Sequence, residues 1–243
     1  MDLVPGFDGL QKFGRNTAIS LAADEDVWTV GGLYVFPPGA ERLSLVSSDD
    51  EDQPGGDGCG SVEVQGLGDG YIPITETVDL DGDQVVLTDA AFLRAPRGIC
   101  RTPGSGSTTD RNLGTITVTQ QSSGITMFNI PAGVGQTLMA IYTVPADQVL
   151  ILNRVYASVG RQVASALTAQ LDTRPLGECW QAKNIVDGNS QGSSLAAARF
   201  EPGTAYGAKT DIKILASVSG NGVDVNAGFD GYLYDATRFI QGN

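Results

Sequence analysis

The chain contains no histidine. That absence removes Ser-His-Asp and Cys-His nucleophile systems, histidine-ligated metals and histidine acid–base work. Any chemistry would have to come from carboxylates, Lys, Tyr or Cys. Carboxylates are plentiful, with 28 Asp and Glu against 15 Lys and Arg and a net charge of −13. The densest group is the loop 47–60, where Asp49, Asp50, Glu51, Asp52 and Asp57 offer the hard oxygens that calcium takes. Their spacing does not follow the DxDxDG…E order of an EF-hand, so a solvated acidic loop is expected. A glycosidase needs two carboxylates about 5–10 Å apart. Among so many acidic residues such a pair can always be drawn, and the sequence singles out none. No catalytic residue, cofactor or metal is expected.

Cys59, Cys100 and Cys179 stand far apart and outside any CxxC motif, which argues against a zinc site. Cytoplasmic redox poise favours three reduced, partly buried thiols. One disulfide with a leftover thiol, or pairing between subunits, is the alternative. The glycine-rich Gly66-Leu67-Gly68-Asp69-Gly70 closes a hairpin, whereas phosphate cradling needs a helix start. Tyr71, Trp180, Tyr206, Tyr232 and Tyr234 could stack on sugars in a lectin-like module; packing on the domain or at an interface is the expected role.

The elements that must position these residues are strands. The 32 Gly and 11 Pro, with Val, Ile and Thr in short runs, point to an all-β chain with a core. Only SLAAAR, 194–199, could make a helical turn, and it is too short to persist alone. The organising stretch is 135–160, two apolar runs, 137–144 and 148–159, joined by Pro145-Ala146-Asp147 and read as the central hairpin. Simple alternation puts Val149, Ile151, Val155, Ala157 and Val159 on one face and Leu150, Leu152 and Tyr156 on the other. Both faces are then apolar and need cover, from a second sheet and from another layer or a neighbouring subunit. Leu150, Leu152 and Tyr156 are thus candidate subunit contacts; a doubly covered core strand within one chain is the other reading.

Residues 1–29 show no clear alternation but carry Phe7, Phe13 and Trp28, which suits an extended arm docked on its own domain or a neighbour better than a free tail. Further strands are expected over 31–36, 41–47, 85–87, 91–99, 113–119, 125–130, 163–172, 178–184, 211–219 and 223–234. A hairpin is expected over 61–80. Within it Glu76 falls on the apolar face and calls for a structural partner, with Arg94 and Arg97 nearest. Asn221-Gly222 is a type I′ turn signal. Residues 101–112 read as a flexible loop, a surface projection or a boundary between halves. The expected architecture is an antiparallel β-sandwich of jelly-roll type with an extended N-terminal arm. The arm is 1–29 and the sandwich domain 30–243, with a split into two lobes near 101–112 as a variant.

Negative charge argues against nucleic-acid partners and against anionic membranes. No apolar run approaches the roughly 18–20 residues of a membrane helix. Met1-Asp2-Leu3 lacks the basic start of a secretory signal, which predicts a chain kept in the cytoplasm unless it leaves within a larger particle.

Three blocks, VEVQGLGDGYIPITETVDLDG (62–82), GQTLMAIYTVPADQVLILNRVYASVG (135–160) and KTDIKILASVSGNGVDVNAGFDGYLYD (209–235), resemble a family of tailed-bacteriophage virion structural proteins. FGRN (13–16) with VWTVGGLYVF (27–36) fits that family's start, and the blocks come in the same order over most of the chain. The resemblance implies a non-enzymatic head-, neck- or fibre-associated component, assembled in the bacterial cytoplasm and carried on the virion. Capsid decoration as a trimer is the first expectation, with the major capsid protein as a partner and an acidic surface turned away from packaged DNA. A collar, neck or tail-fibre role is the alternative. A carbohydrate-binding module touching the host surface is the alternative of another class. In this reading the arm around Phe7, Phe13 and Trp28 docks on a neighbour. The loops 47–60 and 101–112 and the three cysteines depart from the family's commonest form. Paired cysteines would staple subunits.

Overall fold

In a computed structural model, residues 7–21, 23–160 and 164–236 are described. β-branched residues between glycine turns make the chain nearly all strand. In order these are β1 (Phe7–Ile19), β2 (Glu25–Asp26), β3 (Glu41–Ser47), β4 (Cys59–Leu67), β5 (Pro73–Asp79), β6 (Val86–Phe92), β7 (Arg94–Pro103), β8 (Ile116–Gln120) and β9 (Thr126–Ile130). There follow β10 (Ile141–Thr143), β11 (Gln148–Val159), β12 (Ala166–Arg174), β13 (Gln181–Asn189), β14 (Leu195–Tyr206), β15 (Asp211–Val218) and β16 (Val223–Asp235). The chain divides into two units, one from residues up to Tyr34 and from Met139 onward, the other Val35–Leu138. Residues 101–112 lie inside the second unit.

In the first unit the sheets run β1-β16-β11-β14 and β10-β15-β12-β13, with β2 beside β15. All pairings are antiparallel. With the two-residue β2 set aside, the chain from β1 to β10 and on to β16 changes sheet at each step except β12 to β13. Two four-stranded sheets threaded this way form a jelly roll, and the second unit is inserted between β2 and β10. Leu150, Leu152, Val155, Ala157 and Phe229 of one sheet share a fully buried core with Leu167, Leu171, Ile212 and Ile214 of the other. Burying each of the larger side chains contributes about 1.5–3 kcal/mol.

Several sequence expectations change here. The central hairpin is a corner: β10 pairs with β15 and β11 with β14 and β16, so Pro145-Ala146-Asp147 carries the chain from one sheet to the other. Asn221-Gly222 likewise joins β15 to β16 across the sandwich and is not a hairpin turn. Short-range turn chemistry reports a reversal but not which sheet the next strand enters. SLAAAR is the start of β14, because pairing with β11 overrides its helix propensity. Residues 31–36 form no strand; Gly31 and Gly32 both take positive φ (79° and 66°), which breaks the extended run. The N-terminal segment is extended, but β1 is part of its own domain's sheet and its inward side chains Lys12, Asn16 and Ile19 are buried. Val163, where a strand was expected to begin, lies outside the described residues.

The second unit contains the sheets β6-β3-β8-β9 and β5-β4-β7. The hairpin expected over 61–80 is present, paired from Ser61 with Asp79 to Leu67 with Pro73. Glu76 finds a structural partner, though not an arginine: its carboxylate accepts from the N–H groups of Asp89 (2.7 Å) and Ala90 (2.9 Å). The loop 47–60 is built around a carboxylate that is not solvated. Asp52 is fully buried. Its Oδ1 accepts from the N–H of Cys59 (2.8 Å) and Leu113 (2.9 Å), and its Oδ2 from Ser47 Oγ (2.6 Å) and Gly114 N–H (2.9 Å). Gly104, Ser105 and Gly106 in turn donate to the carbonyls of Gly58, Pro54 and Gly56, which ties the start of the 101–112 loop to the acidic one.

Candidate binding groove

The solvent-side face of β1-β16-β11-β14 carries a groove of about 700 Å³. A mismatch between three strands creates it. Along β11, Leu152 pairs with Gly231 of β16, and the next pair is Arg154 with Asp230, so Asn153 is one residue extra. On the other side Leu152 pairs with Thr204 of β14 and Arg154 with Arg199, which leaves residues 200–203 looped out of the ladder. A bulge re-aims the side chains that follow it. Before it Leu150 and Leu152 point inward; after it Val155, Ala157 and Val159 do. The strand's two apolar halves therefore share one face. The expectation of two apolar faces fails because it assumed unbroken alternation.

The bulge leaves a polar row on the outer face. Gln11, Asp230, Arg154 and Arg199 follow one another across β1, β16, β11 and β14. The groove is lined by this row with Asn153, Glu201 and Tyr232. Gly203 stands where a Cβ would collide with Asn153 Oδ1, so the looped-out segment can close over the bulge. Beside the row, Tyr156 lies across its register partner Gly228, and a Cβ there would meet the phenol oxygen. The Arg154 guanidinium carbon sits 5.0 Å from the Tyr156 ring centroid, within cation–π range. Burial, and then the Asp230 charge, push the Tyr156 phenol up, while Arg154 works the other way. Arg154 Nε and Asp230 Oδ1 are both shielded from solvent with no hydrogen-bond partner among the described residues. Leaving such atoms unpaired costs about 1–3 kcal/mol each.

The sequence-predicted contact residues separate. Leu150 and Leu152 are fully buried in the core and cannot contact a subunit. Trp28 is buried too, edge-on to Tyr34 at 5.1 Å, with Nε1 donating to Gly32 O. Phe7, Phe13 and Tyr156 do share the outer face: Phe7 is exposed against Tyr234 (5.7 Å), and Phe13 is opposite Gly228 in the row that holds Tyr156. Cys59, Cys100 and Cys179 are all free thiols. Cys59 and Cys100 line one small groove on β4 and β7; hydrogen bonding between them pulls the Cys59 thiol down and pushes that of Cys100 up. Cys179 is exposed in the other unit. Arg154, Arg199 and Asp230 were not anticipated. The signal available for the first was the polar pair Asn153-Arg154 interrupting an apolar strand.

A second polar cluster in the first unit is closed on itself. Lys213 Nζ meets the buried Asp26 at 2.8 Å, and Arg174 meets Asp211 at 2.7 Å. Trp180 covers both cations, at 4.6 Å from Arg174 and 5.0 Å from Lys213. Among the described residues no group of three or more His, Cys, Asp or Glu is arranged to hold a metal ion.

No family model matches the chain. No curated protein matches it either. Among solved structures, that of infectious bursal disease virus Gt strain is similar at 8% identity and TM-score 0.13, over 96% of this chain and 80% of that one. The Gx strain structure gives 9% identity and TM-score 0.12 over 100% and 85%. The T=1 particles derived from that virus give 12% and 0.13 over 96% and 77%. Likeness at these TM-scores carries no statement of fold or function.

Proposed function

We propose that the chain is a structural, non-enzymatic component of a tailed-phage particle, an exterior capsid decoration protein that works by burying surface against neighbouring subunits. The observation that supports this most is the edge of β1. The strand runs 13 residues, pairs with β16 on one side, and has no strand on the other among the described residues. A long edge offers backbone N–H and C=O groups that a second chain can complete. Its one register irregularity comes between Asn16 and Ile19, so nothing interrupts the ladder from Phe7 to Asn16. Phe7, 46% exposed, stands at the start of that edge and would be covered by an incoming strand.

The sequence blocks that resemble virion structural proteins support the same reading, as does an acidic surface that packaged DNA would repel. Jelly rolls occur in capsid and lectin domains, but that is analogy at the level of fold. The partners in this reading are further copies of the chain, as a trimer, and the major capsid protein. Quantitative mass spectrometry of purified particles tests it. Copy number comparable with the capsid subunit is expected. About a dozen copies or fewer would move the protein to the neck, collar or fibres, and absence from particles would overturn the proposal.

A further inference from the structure

We propose that the groove at the β11 bulge binds a neutral pyranose of a polysaccharide. Strand addition at the β1 edge takes place in the plane of the sheet, so occupancy of the groove on its face is independent of the virion role.

Three features point to this ligand class. The first is charge. The groove sets Arg154 and Arg199 against Asp230 and Glu201, so it is locally neutral within a protein of net charge −13. A polyanion would be repelled on approach, and a cation would meet two guanidinium groups. The second is hydrogen-bonding capacity. Arg154 and Asp230 are direct register partners beneath the groove, and Nε of one and Oδ1 of the other are buried without a hydrogen-bond partner. A sugar hydroxyl donates and accepts at once, so neighbouring hydroxyls on one ring can serve the exposed Arg199 guanidinium and Glu201 carboxylate. Asn153 and Gln11 add amides that also do both.

The third is the aromatic platform. Tyr232 is 49% exposed, and its register partner on β1 is Gly9, where a Cβ would meet nothing within 4 Å. No side chain at Gly9 covers the ring from that side, which leaves an apolar face for the C–H groups of a pyranose. The volume, about 700 Å³, lies within the range of small-ligand sites. The walls set planar polar groups beside the Tyr232 face and the apolar Leu10, Phe200 and Pro202, a mixture that suits a ring with both hydroxyl and C–H faces.

The test uses the purified full chain on an array of neutral and uronate-containing oligosaccharides, followed by calorimetric titration of the strongest neutral binder. Tyr232→Ala, Arg199→Gln and Asp230→Asn are each expected to weaken binding at least about tenfold. Arg15→Gln, on the same face but outside the groove, should leave it unchanged. If Asp230→Asn fails to fold, the exposed Tyr232 and Arg199 positions still decide the matter. Binding of uronates alone, no neutral binding at millimolar sugar, or affinity indifferent to Tyr232 and Arg199 would each overturn the proposal. None of these results bears on copy number in particles.

Discussion

Lys213 Nζ stands 2.8 Å from Oδ1 of Asp26, a carboxylate with no solvent exposure. The pair bridges two strands, since β2, which carries Asp26, adds to β15 alongside Leu215 and Ala216. Tyr34 N–H donates to the other carboxylate oxygen at 2.7 Å. Burial pushes Asp26 up, and Lys213 and the Tyr34 N–H offset only part of that shift. Lys213→Ala would leave the buried Asp26 without its facing cation and is expected to cost about 3–5 kcal/mol in urea unfolding. Replacing both residues together, Asp26→Leu with Lys213→Met, should recover most of the loss. A single-variant loss under about 1 kcal/mol would show that the pair does not act as a unit.

Asn153 sets the parity of β11. Deleting it joins Leu152, Arg154 and Val155 in plain alternation, which keeps Leu150, Leu152, Val155, Ala157 and Val159 on one face in the same register without a bulge. The deletion is expected to keep cooperative folding, read by circular dichroism and thermal melting, while it straightens the strand beneath the groove. Asn153→Ala keeps the extra residue and should cost no more than about 1.5 kcal/mol. A deletion variant that no longer folds cooperatively would show that the bulge itself, beyond the parity of the strand, is needed.

Asp52 accepts four hydrogen bonds from donors spread between Ser47 and Gly114. With its oxygens filled by N–H and O–H groups, it has no geometry to offer a cation. Chelation of calcium should leave the melting temperature unchanged. Asp52→Ala should lower stability by about 2 kcal/mol or more, because several buried donors lose their acceptor together. A chelator-induced drop in melting temperature would mean that another part of the loop binds the ion.

Acid should weaken the fold through particular carboxylates. Arg101 holds Glu63 below its ordinary value of 4.5. Burial raises Glu25, but the N–H groups of Gly32 and Ser20 and the Asn16 amide outweigh it and bring it below 4.5. A depressed carboxylate contributes stability that is present above about pH 4.5 and is lost as pH falls through its folded value. Asp26 has the opposite sign: its raised value lowers stability as pH rises from about 3.8. Melting temperature should fall between about pH 5 and about pH 3, and Glu25→Gln should flatten that slope while Asp26 keeps its own. An unchanged slope in Glu25→Gln would discount its hydrogen bonds.

The 61–80 hairpin was legible because β4 and β5 are neighbours in sequence and in the sheet, so Gly68-Asp69-Gly70 and the alternation around it describe one local event. The 135–160 stretch was legible as strand but not as topology. β10 and β11 are close in sequence, and their partners β14, β15 and β16 all lie beyond residue 194. Phe7, Phe13 and Tyr156 were readable as candidate surface residues because aromatic character is local. The groove was not readable, since Gln11, Asp230, Arg154 and Arg199 come from four strands and meet only through register.

By itself the sequence determined what each residue can do alone: no histidine chemistry, a strongly acidic surface, short alternating strands and turns at glycine. Tertiary structure decided which sheet each strand joins, that one extra residue at Asn153 turns two apolar faces into one, and that Asp52 is a buried acceptor and not a solvated charge. The physical reason is range. Backbone preference and charge belong to a residue and its neighbours, whereas register, burial and the pairing of polar atoms depend on segments that meet only when the chain has folded.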